Sequence, residues 1–185
     1  MHNNRYSSIN KNGNHVITTM DLSKLIEQVP STRLVLYYRE MRSGFKEGWK
    51  TWAWDMMKAG YQQSSIAQLA GEDLSMNPFE FDALVKSIFD ELELDCPQDV
   101  GKYQYVLWVA HQVVDGKMSA EDGFSVLSQA AVNTNFHDAF LDFYYLNDDA
   151  DLLRSGFPAC YGDGTMHQDN IEEWMTSYFK KLLSK

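Results

Sequence analysis

Apolar residues recur along most of this chain at steps of three and four, the spacing that lines one face of an α-helix. Phe45, Trp49, Trp52 and Met56 form one such stripe, and Gly60 follows where a helix C-terminus favours a left-handed residue. Trp49, Trp52 and Trp54 resemble an aromatic cofactor box, but near-helical spacing predicts core instead. The run from 77 to 94 opens with Asn77 as a cap, Pro78 at the first helical position and Glu80 placed to complete a capping box. Phe81, Leu84, Ile88 and Leu92 form its predicted buried face, and Pro97 ends the element. Shorter helices are predicted over 21–28, capped by Asp21, and through LVLYYREM.

Further along, a helix over about 99–115 is predicted to turn Tyr103, Val106, Leu107, Ala110 and Val114 inward. Asp115-Gly116-Lys117 makes a turn, and Ser119 with Asp122 opens the next helix, to about 132. In FHDAFLDFYYLND, the residues Phe136, Phe140, Phe143 and Tyr144 share one side. SGFPACYGDGTM, residues 155–166, concentrates glycine and proline and predicts a loop. The last helix, about 168–183, places Glu172 and Glu173 early and Lys180 and Lys181 late, matching the helix dipole. Strand-like alternation is confined to a short piece around His15 to Thr18. The pattern predicts an all-α fold, an irregular bundle of about seven to eight helices, with the short helix pairs also compatible with a solenoid. A polar, Asn- and Ser-rich arm over 1–19 is expected to be flexible, ahead of one helical domain over 20–185.

Composition supports a packed core: 44% of the 185 residues are hydrophobic, enough to fold without disulfide or metal. Cys96 and Cys160 fit no zinc or CxxC spacing. With no apolar leader and no membrane-length apolar run, the expectation is a cytoplasmic protein with reduced thiols and no membrane partner. The net charge of −10 is uneven, at +4 over 1–58, −15 over 59–170 and +1 over 171–185. So acidic a middle repels a phosphate backbone and attracts cations. QSSIAQLAG, residues 63–71, has the small residues of a helix-turn-helix. The span after it carries Glu72, Asp73, Glu80 and Asp82, with no Lys or Arg before Lys86, so its charge is wrong for facing phosphates.

Few residues form a constellation suited to catalysis or metal binding. His111 and Asp115 share a helix face but make only two ligands, short of what a zinc site needs. Asp138 directly follows His137 and points elsewhere, while Asp142 lies a further turn along. Asp163-Gly164-Thr165 lacks the alternate oxygens of a calcium loop. Cys160 with His167 could form a nucleophile pair, but no orienting third group accompanies them. No catalytic residue, metal or cofactor is therefore expected.

Two acidic groups stand out. One is Asp90, Glu91, Glu93 and Asp95, at a helix C-terminus where negative charge is mildly unfavourable. The other is Asp148, Asp149 and Asp151, next to Tyr144 and Tyr145. Aromatic rings beside carboxylates suit a basic protein surface, and these nine residues are the candidate partner-binding set. An ordinary solvated surface explains the same charges equally well.

The stretches AGYQQSSIAQLAGE, NPFEFDALVKSIFDELEL, FYYLNDDADLLRSG and GTMHQDNIEEWM resemble small all-helical bacterial proteins of uncharacterised function, some encoded at toxin-immunity loci. The resemblance covers about half the chain, lies in packing and capping residues, and transfers no functional residue. It implies a cytoplasmic protein that binds and neutralises a toxin. The leading expectation is a non-catalytic acidic domain, an immunity or antitoxin-like inhibitor of a basic protein partner. The alternatives are a helical enzyme or small-ligand or metal binder using His111, His137 or the 155–167 loop, and, ranked below it, a DNA-binding regulator.

Overall fold

The computed structural model describes Ser8–Ile9, His15–Val16 and residues 20–44, 46–73 and 75–184. The fold is all-α. Among the described residues the helices are α1 (Leu22–Gln28), α2 (Thr32–Glu40), α3 (Glu47–Lys58), α4 (Ser64–Gly71), α5 (Pro78–Glu91), α6 (Val100–Val114), α7 (Ala120–Asn133), α8 (Asp138–Arg154) and α9 (Ile171–Leu183). A two-residue antiparallel ladder joins Ser8–Ile9 to His15–Val16, and only the second of these falls in the piece where alternation predicts strand. The rest of the expected 1–19 arm, and Phe45 of the α3 stripe, lie outside the described residues.

The chain divides into two compact units, one holding residues 1–32 and 43–97, the other 33–42 and 98–185. In the first, Trp49 and Trp52 pack edge to face (5.9 Å) and each meets a phenylalanine of α5, Phe81 and Phe89 respectively. The Trp52 indole N–H donates to the buried Thr32 hydroxyl (2.9 Å), so the polar edge of a core ring is satisfied. Trp54, on the opposite side of α3, is exposed. Asp21 caps α1 by accepting from the Ser23 N–H, and Asn77 caps α5 by accepting from Phe79. No bond from Glu80 back to Asn77 is present among the described residues. Asn77 caps alone, because Pro78 already removes one of the orphan donors.

The second unit packs α6 to α9 with α2. Its core is built on Val106, Val109, Ala110 and Val113 of α6, Phe124 of α7, and Phe179 of α9. The buried face of α6 thus differs from the predicted one: Val109 and Val113 replace Tyr103 and Val114, which are exposed. Steps of three and four from Val106 reach Val109 and Ala110, and the same steps reach Val113, so one stripe is selected, while Tyr103 meets the His137 ring instead. Phe136, expected on one helix side with Phe140, Phe143 and Tyr144, precedes α8 and is exposed. Two glycines let helices approach closely. A Cβ on Gly101 would lie 2.5 Å from the Leu36 carbonyl oxygen, and one on Gly123 would lie 2.8 Å from Val113 Cγ2.

No helix among the described residues is long and apolar enough to cross a membrane.

Candidate functional site

The two acidic groups fall in different units, and the structure treats them differently. In the first, Glu91 accepts from the Ser65 hydroxyl (2.6 Å), joining α5 to α4. Glu93 holds a left-handed backbone (φ 51°) just past the end of α5. Asp90 and Asp95 are exposed. Leu92 and Leu94 between these carboxylates are both buried, and residues 90–95 include no aromatic side chain.

In the second group Asp149 is fully buried, so it cannot belong to a partner-facing surface. Instead it organises the loop after α8. The backbone N–H groups of Cys160, Tyr161 and Gly162 all donate to its two carboxylate oxygens, at 2.5–3.1 Å. Three consecutive donors meeting one acceptor-only group fix the loop's path more firmly than neutral bonds do. A second set of bonds holds the following turn. Thr165 donates to Asp163 through its N–H (3.0 Å) and its hydroxyl, and these bonds draw the Asp163 carboxyl below its ordinary pKa. The Trp174 indole donates to the Thr165 hydroxyl (2.8 Å), Asn170 caps the His167 N–H (2.7 Å), and Met166 is buried. The predicted loop is thus tied down from Cys160 onward, including the Asp163–Thr165 turn expected to be flexible.

Asp151 accepts from Arg154 (2.8 Å), whose other terminal nitrogen reaches Glu121 (2.7 Å). Asp148 is exposed and makes no hydrogen bond or ion pair with the described residues. Tyr144 and Tyr145 stand beside it in a continuous row of rings. Phe136 meets Tyr144 edge-on (5.1 Å), Tyr144 meets Tyr145 (5.7 Å), and Tyr145 stacks on Tyr161 (4.7 Å). Exposures of 45% for Phe136, 36% for Tyr145 and 56% for Tyr161 leave this row open to solvent. Phe136 also holds a left-handed backbone (φ 59°), an outlier for so bulky a residue and the kind of strain that gathers at functional sites. Partial burial of the Tyr161 phenol, with Asp148 next in effect, pushes its pKa upward.

Phe136 and Tyr161 were missed by the sequence reading. Phe136 fits a helical stripe on paper, and Tyr161 stands beside the acidic group only because Asp149 folds the loop back.

The remaining candidates do not converge. Lys117 takes the Asp115 carboxylate (3.1 Å), while His111 is exposed. His137 caps α8, its Nδ1 accepting from the Ala139 N–H (3.2 Å), and its Nε2 faces Asp99 (3.5 Å). Asp99 and Glu40 in turn grip Lys102, whose hydrogen bond holds the Asp99 carboxyl below its ordinary pKa. Asp138 sits in the first turn of α8, and Asp142 accepts from the Tyr178 hydroxyl (3.3 Å). Cys160 lies 3.8 Å from the Pro158 carbonyl, with no Cys160–His167 bond among the described residues. No group of three or more His, Cys, Asp or Glu among the described residues could hold a metal ion.

No protein-family model matches the chain, and no curated protein or solved structure matches it either.

Proposed function

We propose that this chain is a non-catalytic protein-binding domain of the cytoplasm that engages a basic partner, in the manner of an immunity or antitoxin-like inhibitor. The observation that carries the reading is the open ring row Phe136–Tyr144–Tyr145–Tyr161, standing next to Asp148, which has no partner among the described residues, with Tyr161 on a loop that the buried Asp149 ties down. Rings supply contact area at low entropy cost, and a pre-formed loop spares the partner the cost of ordering it. Charge supplies direction: residues 138–170 hold seven Asp against one Arg, a field that steers a cationic protein toward the rings. The resemblance to helical proteins of toxin-immunity loci supports the inhibitor role.

Retention of host proteins on the immobilised chain at low salt tests this reading. The expected partner carries excess Lys and Arg, elutes with salt, loses its own activity when bound, and is lost from a Tyr145→Ala/Tyr161→Ala/Asp148→Asn variant. A chain that retains nothing at low salt, or a variant that retains the same proteins equally, would end the proposal.

A further inference from the structure

We infer that the open face of Tyr161, with the Asp148 carboxylate beside it, recognises arginine side chains of the partner in preference to lysine; this rests on the reading that the surface binds a basic protein. The Tyr145 and Tyr161 rings lie near parallel, 26° apart at 4.7 Å, so one face of Tyr161 is occupied and the other continues the stack outward. With 56% of the residue exposed, that outer face has room for a planar cation. A guanidinium laid on a ring keeps its edge donors free, so it can stack on Tyr161 and fork onto a carboxylate at once. An ammonium has no face to stack and makes one of these contacts at the expense of the other.

The carboxylate for the fork is identified by elimination. Asp142 is held by Tyr178, Asp149 by the loop backbone, Asp151 by Arg154, and Asp163 by Thr165. Asp148 is exposed and has no partner among the described residues, and after burial its charge is the next cause that raises the Tyr161 phenol's pKa. It follows Tyr145 by three residues and so shares its side of α8. One turn away, Arg154 bridges Asp151 and Glu121 with two different nitrogens, the same forked chemistry satisfied within the chain.

The test uses the full chain and two synthetic peptides, four Arg-Gly repeats and four Lys-Gly repeats, titrated calorimetrically at low salt. The arginine peptide is expected to bind about tenfold more tightly. Asp148→Asn and Tyr161→Ala should each bring it to the level of the lysine peptide. Tyr161→Phe keeps the ring and should keep the preference, as should Asp138→Asn, elsewhere on α8. Equal binding of the two peptides, or a preference that survives Asp148→Asn and Tyr161→Ala, overturns the inference and leaves a basic partner in place. Binding of neither peptide removes the basic-partner reading as well.

Discussion

Replacing Asp149 with alanine removes, in one step, the acceptor for three consecutive backbone N–H groups. The carboxylate lost is fully buried and the loop it ties is released, so the change should cost roughly 2–4 kcal/mol, read as a lower urea midpoint. The same variant should weaken partner binding more than Asp148→Asn does, because it releases Tyr161 from Tyr145 as well as lowering the charge. Nothing in the sequence separates Asp149 from its neighbours Asp148 and Asp151: all three are aspartates within one helical turn. What distinguishes them is which side of α8 meets the returning loop, and that depends on tertiary packing. The rings and carboxylates of the site could be read from the sequence as a group; the division of labour among them could not.

Five helices among the described residues end in the same way, with paired backbone bonds closing around a left-handed residue: Gly60, Glu93, Gly116, Asn135 and Gly156. Where that residue is glycine, the end of the helix shows in the sequence. At Glu93 it does not, and α5 stops at Glu91, well before Pro97, where the sequence places the element's end. Glu93→Gly relieves this backbone and should raise stability by about 1 kcal/mol. Helical spacing located most elements for the same reason it misplaced Tyr103 and Val114, since periodicity reports a face but not how far the core extends along it. Close approaches between helices are invisible to it altogether. Gly101→Ala drives a Cβ into the Leu36 backbone and should cost roughly 1–3 kcal/mol despite alanine's better helix propensity. Gly71→Ala, at a helix position with nothing within 4 Å, should instead stabilise slightly, and thermal melts of the two variants should move in opposite directions.

The response to alkali belongs to the molecule as a whole. Tyr105 and Tyr178 are pushed up to about 12, by burial first in both, and next by Tyr37 and Tyr38 for the former and Asp142 for the latter. Unfolded tyrosine ionises near about 10, so the folded chain holds these protons more tightly. Their contribution to stability is complete below about pH 10 and is lost as pH rises toward about 12. Urea midpoints measured across that window should fall, and less steeply in Tyr178→Phe, which has no proton to lose there. The chain also visits its two units alternately, leaving the first after Thr32, returning at Ser43 and departing again at Gln98. This gives synthesis an order. Glu40 of α2 bonds to the N–H of Gly101, 61 residues later, so on the ribosome α2 emerges long before its seat exists. Val35 and Leu36, buried in the finished protein, spend that interval without the rest of their unit, while α3 to α5 can already close on one another. Brief proteolysis of nascent chains stalled far enough past Pro97 for α5 to have left the ribosome should cut within α2 and spare α3 to α5, and the cut should vanish once α9 has been made and released.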